Sequence, residues 1–485
     1  MADHSASPSP KKKLYIETVG CQMNLLDSEL VVARLRQEGY ELTENIQQAD
    51  AILYNTCSVR QHAEDKIYSA LGRIKRIKER NPDVTIGVMG CMAQKDQAEI
   101  FRRAPHVDIV VGPGQLARVP ELLAQARAGS PPHLAVSRAR KDGALEAIAA
   151  SFQTYDADRE PTMRPTAFQA FIRVMMGCDK FCTYCVVPSV RGPEQSRPPE
   201  AILAEARLLA DQGVKEVTLL GQTVNSYRFR QGEGLSWRLS DLLERVHDIG
   251  GIERIKFITN FPNDMTDDLL QAVRDLPKVA RYIHVPAQSG CDEILRRMKR
   301  MYTVAAYEEM LARIRATIPA VAVSSDFIVG FSGETEASFA RTVGLVGRSR
   351  FKNSFIFKYS ARQGTKADQL YADDVPEVVK KRRNHELLAV QTAISLEENR
   401  GWIGRGVEVL VEGPSRTTTR RPGWDGLEQL TGRTACDRIA VFAGPERLIG
   451  RFVRVVVEDA SAVTLFGRVE TTEQVGTTER PAKPA

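Results

Sequence analysis

A chain of 485 residues has room for about three domains at roughly 150 residues each, so a single core is not expected. With 43% hydrophobic and 26% charged residues, and no apolar run of the roughly 18 residues a membrane span needs, the composition is that of a soluble globular protein. A net charge of +6 permits a polyanionic partner without requiring one. Eight cysteines without a secretion signal imply a reducing compartment, the cytoplasm, where clustered thiols more often bind metal or do chemistry than form disulfides.

Met1 to Lys13 is polar, rich in Pro and Ser and without an apolar segment, which reads as a disordered tail rather than a signal peptide. From Leu14 to about Ala128, short apolar runs alternate with amphipathic stretches. The expected strands are Leu14–Thr18, Ala51–Asn55, Thr85–Met89 and Asp108–Val111, with helices at Asp27–Gly39 and Glu64–Arg80, and together they predict a parallel α/β sheet domain over 12–128. The Pro-containing stretch Gly129–Thr166 reads as a linker.

Six further strands are expected at Ala170–Val174, Glu216–Leu220, Arg254–Thr259, Tyr282–Val285, Val321–Val329 and Asn353–Tyr359, separated by segments of helical spacing. Six βα units in series predict an incomplete (β/α)6 barrel over 164–398, with chemistry at the C-terminal ends of its strands; a doubly wound sheet is the rival arrangement. A charged helix, Pro376 to about Asn399, leads to short β runs at Val407–Val411, Ile439–Val441, Phe452–Val457 and Thr464–Phe466, which predict a small antiparallel β-barrel over 399–469. From Glu470 the chain reads as disordered.

The cysteines fall into two constellations. Cys178, Cys182 and Cys185 form C-x3-C-x2-C directly after the first barrel strand, and three thiolates on one short loop can hold three irons of a [4Fe–4S] cube and leave the fourth open. A zinc knot would want a fourth closed ligand, and no further Cys or His lies nearby. Cys21, Cys57 and Cys91 each follow an expected strand. In a parallel sheet the C-terminal strand ends share one edge, so these thiols are expected to meet as a second three-Cys site, the alternative being three buried structural cysteines. Cys291 and Cys436 have no partner at ligand spacing and read as structural.

With Thr18-Val-Gly-Cys-Gln-Met-Asn, Asn55-Thr-Cys-Ser-Val-Arg60, Gly90-Cys-Met-Ala-Gln94, Tyr184-Cys-Val-Val-Pro188, Arg191-Gly-Pro-Glu-Gln-Ser-Arg197, His284-Val-Pro-Ala-Gln-Ser-Gly290 and Gly432-Arg-Thr434 in view, the chain resembles the methylthiotransferase family of radical S-adenosylmethionine enzymes from Lys13 to Val469. Gly-Cys-Gln-Met-Asn is the form of the branch that acts on tRNA. Two departures stand out: the family's usual Phe-Pro-Gly-Glu-Thr is here Phe331-Ser-Gly-Glu-Thr335, and Cys291 stands where Ser is usual.

The resemblance implies two [4Fe–4S] clusters, on Cys178/Cys182/Cys185 and on Cys21/Cys57/Cys91, with S-adenosylmethionine as radical source and methyl donor. It implies methylthiolation at C2 of N6-dimethylallyladenosine next to the anticodon of tRNA, with a low-potential electron donor as partner; a monomer is expected. Tyr184, Gln222, Asn225, Asn260, Gln288 and Asp326, near the barrel's rim, are the candidates to bind S-adenosylmethionine. The C-terminal barrel resembles a TRAM domain, in which Arg416, Arg420, Arg421, Arg433, Arg438, Arg451 and Arg454 could track phosphates. The rival functions are methylthiolation of another adenosine derivative or of a ribosomal protein, and a non-catalytic iron–sulfur protein that binds RNA.

Overall fold

The computed structural model describes residues 11–58, 61–137, 159–231, 234–417, 421, 424 and 426–470. Most of the two expected tails, the greater part of the expected linker, Arg60 and Arg420 lie outside them. No described helix is long and apolar enough to cross a membrane.

The N-terminal unit is a six-stranded, wholly parallel sheet in the order Tyr40–Leu42, Lys12–Val19, Ala51–Thr56, Thr85–Gly90, Ile109–Val111, His133–Ala135. Its two central strands are buried at every residue, as parallel strands covered on both faces must be. Alternate side chains divide between the layers. Ile52, Tyr54, Ile86 and Val88 pack with Ile67, Leu71 and Ile74 of the helix Gln61–Arg80, while Ala51, Leu53 and Met89 pack with Val31, Val32 and Leu35 of the helix Gln22–Gln37.

Two expectations are corrected here. The first helix starts at Gln22 rather than Asp27, because Cys21 is its N-cap and the Asn24 side chain accepts the Cys21 N–H (3.3 Å); Asp27 is instead buried in mid-helix. The strand His133–Ala135 falls within the expected linker, where three residues beside two prolines carry too little alternation to announce a strand.

The central unit has six parallel strands in sequential order. Gln169–Arg173, Glu216–Leu220 and Arg254–Phe257 form one half; Tyr282–His284, Ala322–Val329 and Asn353–Lys358 form the other. A bridge between Ile255 and Val279 and the bond from Asn260 N–H to His284 O (3.1 Å) join the halves. The first and last strands do not pair, so the barrel is open between them, as expected of an incomplete (β/α)6 barrel. Met23 and Leu26 of the first helix pack on Phe171 and Leu220 and seat the N-terminal unit against the barrel's first two strands.

The C-terminal unit is a closed five-stranded barrel in the order Gly406–Pro414, Gln429–Thr434, Ile439–Ala443, Thr464–Val469, Phe452–Ala460. It was expected to be antiparallel, and four of its contacts are. Ile439–Ala443 and Thr464–Val469 run parallel, since a closed ring with an odd number of strands cannot alternate throughout. The unit docks on the N-terminal ends of the large barrel's strands. There Tyr282 and Ala322 pack on Cys436, and Arg254 donates to the Arg433 carbonyl (2.9 Å).

Asp437 centres this interface, within 3.4 Å of Lys256 Nζ, 3.3 Å of Lys352 Nζ and 3.2 Å of Arg433 Nη1. Burial would raise its carboxyl, but Lys352, Lys256 and Arg433 hold it down at about 2. Asp437→Asn leaves those cations short of their counter-charge and is expected to cost about 3–5 kcal/mol, read as a lowered melting temperature. The carboxyl's folded value lies below its unfolded one, so its stabilising effect is present above about pH 4 and is lost as pH falls toward 2. Acid titrations should show that loss in the native protein and not in the variant.

Candidate active site

Cys21, Cys57 and Cys91 follow three strands adjacent in the sheet, and the topology brings their thiols together. Cys57 stands within hydrogen-bonding reach of both others. Its contacts with Cys21 and Cys91 push the Cys57 thiol up and bring both neighbours down, and the Arg191 charge acts on those two in the same sense. Cys57 and Cys91 are buried and Cys21 is exposed at the edge.

The three motifs interlock behind the thiols. Asn24 Oδ1 accepts from the Cys21 thiol (3.2 Å), and Asn24 Nδ2 donates to Asn55 Oδ1 (3.0 Å). Asn55 Nδ2 in turn donates to the Asn24 carbonyl (2.8 Å) and to Ser28 Oγ (2.9 Å). Gly90, at φ +95°, is needed because a Cβ there would stand 2.4 Å from Asn55 Oδ1. Each strand end therefore carries its cysteine together with the group that locks it to its neighbour.

Cys178, Cys182 and Cys185 sit on the loop after the first barrel strand, held from two sides. Cys178 N–H donates to the Gly192 carbonyl (3.2 Å), and Gly177, at φ +78°, passes so close to Pro193 that a Cβ would lie 1.8 Å from its carbonyl oxygen. From the other side Thr183 donates through N–H to the Met298 carbonyl (3.0 Å) and through Oγ1 to that of Arg297 (2.9 Å). The buried Arg300 donates from Nη1 to Cys182 Sγ (3.3 Å), from Nε to Tyr302 Oη (2.8 Å) and from Nη2 to the Pro286 carbonyl (3.1 Å). Burial pushes Cys178 up to about 11 and Cys185 up to about 12. A metal at this loop therefore has to displace thiol protons.

Among the described residues no three His, Cys, Asp or Glu side chains are placed to hold one metal ion. A cuboidal cluster asks for something else, three thiolates on three different corner irons. Two sets of three thiols suit that demand. The sets are neighbours, since Cys91 packs on Val186 and Val190, in the segment that follows Cys185.

The rim residues separate into two groups. Gln222 Oε1, Asn260 Oδ1 and Gln288 Oε1 are buried acceptors without a hydrogen-bond partner among the described residues, at the ends of strands two, three and four. Three unmet acceptors suit a ligand that brings ammonium, amino or hydroxyl donors. The others are already engaged. Asn225 commits both ends of its amide to Phe261, donating to the carbonyl and accepting the N–H (2.8 Å each), and so clamps one rim loop to the next. Asp326 pairs with His284 (Oδ1–Nε2, 2.9 Å), and Tyr184 stacks edge-on against Phe331 at 6.5 Å.

Arg191, Arg300, Asn24 and Asn55 were not singled out by sequence as site residues. For Arg300 no local signal exists, because its cysteine partner is remote in the chain. The arginines expected to track phosphates are divided. Arg438 is buried and bonded to Asn399, and Arg433 is held by Asp437 at the domain interface, so these two are structural. Arg421 pairs with Asp459 (2.8 Å) and Arg454 with Glu470 (2.6 Å), whereas Arg416 and Arg451 are exposed.

Residues 13–112 match the Uncharacterized protein family UPF0004, residues 172–346 the Radical SAM superfamily, and residues 402–469 the TRAM domain. The chain is 58% identical over 467 residues to a tRNA-2-methylthio-N(6)-dimethylallyladenosine synthase of Rhodopirellula baltica, covering 96% of this chain and 97% of that one. It is 46% identical over 466 residues to the protein of that name from Paracidovorax citrulli, covering 95% and 98%. Among solved structures it is similar in fold to the radical S-adenosylmethionine methyltransferase TsrM from Kitasatospora setae, with cobalamin and a [4Fe-4S] cluster bound. The TM-score is 0.53 at 13% identity, over 74% of this chain and 77% of that one.

Proposed function

The chain belongs to the family of tRNA-2-methylthio-N(6)-dimethylallyladenosine synthases, and from that premise we propose that it adds a methylthio group to C2 of N6-dimethylallyladenosine next to the anticodon of tRNA. The observation that carries this reading is the pair of three-thiol sites, one at a sheet edge and one on a barrel loop, packed against each other through Cys91, Val186 and Val190.

Cys178, Cys182 and Cys185 hold one [4Fe–4S] cluster, and Cys21, Cys57 and Cys91 hold another. When bound, the two clusters and S-adenosylmethionine supply one-electron cleavage of a sulfonium bond, a methyl group and a site for the sulfur to be inserted. The chain's own contribution is placement. Arg300 neutralises charge at Cys182, and Thr183 fixes the loop to the segment that carries Arg300. Gln222, Asn260 and Gln288 accept hydrogen bonds from S-adenosylmethionine, while Asn225 and the His284–Asp326 pair shape the rim.

The three units, 12–128 extended by the strand at 133–135, 164–398 and 399–469, divide sulfur placement, radical generation and tRNA binding. Exposed Arg416 and Arg451 are positioned on the last unit for tRNA phosphates. A low-potential electron donor completes the set of partners, and the protein acts as a monomer in the cytoplasm.

Mass spectrometry of tRNA nucleosides tests the reading. Loss of the gene should remove the 2-methylthio nucleoside and accumulate N6-dimethylallyladenosine, and re-expression should reverse both. An unchanged nucleoside profile would overturn it.

A further inference from the structure

The motif Arg191-Gly-Pro-Glu-Gln-Ser-Arg197 belongs to neither cysteine set, yet its first residue lies between them. Arg191 comes from the barrel unit, is 4% exposed, and reaches into the N-terminal unit, where its Nη2 donates to Asp27 Oδ2 at 2.7 Å. The other oxygen of Asp27 accepts from Arg173 Nη1 at 3.1 Å. One carboxylate therefore faces two buried guanidinium groups at the domain interface. Arg191 Nη1 is also buried and meets no oxygen or nitrogen acceptor among the described residues, while the guanidinium stands within hydrogen-bonding reach of the Cys91 thiol and near enough to Cys21 for its charge to act on both.

A buried cationic donor is costly unless something anionic meets it. Sulfur is what its surroundings offer. The backbone adjoining Arg191 touches the other cysteine loop as well, since the next residue, Gly192, accepts the Cys178 N–H (3.2 Å) and Pro193 lies against Gly177. One short segment thus supports the radical loop through its backbone and faces the N-terminal thiols through its first side chain.

We propose that Arg191 is a positioning residue for the N-terminal sulfur site, its Nη1 donating to anionic sulfur held at Cys21, Cys57 and Cys91 and its charge, set against Asp27, tuning that site. This rests on the reading that those three cysteines hold a cluster. Groups outside the ligand shell act on a cluster by hydrogen bonding and by charge. Loss of the Arg191 charge should make reduction harder, and loss of the Asp27 charge should make it easier.

The test uses full-length protein in which Cys178, Cys182 and Cys185 are Ala, reconstituted anaerobically with iron and sulfide, so that only the N-terminal site can load. Iron content is measured first, then the midpoint potential by redox titration followed by electron paramagnetic resonance. Arg191→Gln should shift the midpoint to more negative values, Asp27→Asn to more positive values, and Arg191→Lys should stay close to the parent. In the protein with all six cysteines, Arg191→Gln should also reduce methylthio product about tenfold or more while sparing deoxyadenosine formation without tRNA.

Opposite signs are the signature, because a merely structural role for the pair would move both variants alike. If the parent loads no iron, the two-cluster reading fails. If it loads iron and the two variants shift together or not at all, the role of Arg191 fails. Should Arg191→Gln not fold, a positive shift in Asp27→Asn supports the proposal and an unchanged midpoint overturns it.

Discussion

Replacing Cys178, Cys182 and Cys185 together by Ala is expected to abolish 5′-deoxyadenosine formation under reduction and to halve the iron, leaving about four per chain. The geometry argues for a complete loss rather than a partial one. The three thiols share one loop, and the cysteines outside the two sets are fully engaged in packing elsewhere: Cys291 is buried among Ile294, Met298 and Phe331, in the cluster that supports Tyr184, and Cys436 lies at the C-terminal interface. The loop itself should survive the substitutions. Its shape is held by Gly177 against Pro193 and by Thr183 on the carbonyls of Arg297 and Met298, none of which needs a sulfur. An unchanged melting temperature of the apoprotein, with no deoxyadenosine in the presence of dithionite, is the expected pair of results. Full iron content in the triple variant would sink the assignment of this loop.

Why this loop was legible, and its surroundings were not, follows from the range of the interactions. C-x3-C-x2-C is a local pattern, and Cys21, Cys57 and Cys91 each follow an expected strand one βα unit apart, so the strand pattern together with the shared edge of a parallel sheet brings them together. Arg300 bonds a thiol on a distant loop, and Arg191 lies across a domain boundary from Asp27. Neither relation leaves a trace in alternation or helical spacing. Asp27 itself misled for a related reason: an acidic residue near the start of a helical pattern reads as an N-terminal signal, whereas here its charge is matched by buried arginines from another unit.

The arginines of the C-terminal barrel make the same point. Composition cannot distinguish an exposed Arg451 from a buried Arg438, because the difference lies in which face docks on the large barrel. Serine at 332 shows the converse, a departure that the structure absorbs. Without proline the turn still closes through Glu334 N–H to the Phe331 carbonyl (2.8 Å), Gly330 N–H to Glu334 Oε2 (2.6 Å) and Arg383 Nη1 to Glu334 (2.9 Å).

The complementary variant, with Cys21, Cys57 and Cys91 replaced by Ala, is expected to keep cleaving S-adenosylmethionine and to make no methylthiolated tRNA. The asymmetry comes from position. Rim acceptors Gln222, Asn260 and Gln288 belong to the barrel, as do Arg300 and all three loop cysteines, so the parts proposed to bind and cleave S-adenosylmethionine remain whole. What disappears is the set of thiols at the sheet edge, and with it the place proposed to hold the second sulfur. The substitutions should not unfold the sheet, because Asn24, Asn55 and Ser28 bond to one another without the sulfurs and the strands on either side remain paired. Deoxyadenosine measured in the absence of tRNA should stay within about twofold of the parent, since the groups proposed to bind S-adenosylmethionine are untouched. Methylthio product measured on tRNA that carries dimethylallyladenosine should fall below detection. Product at the parental level would show that the sulfur is held elsewhere; loss of deoxyadenosine together with product would mean that the two thiol sites serve one task rather than two.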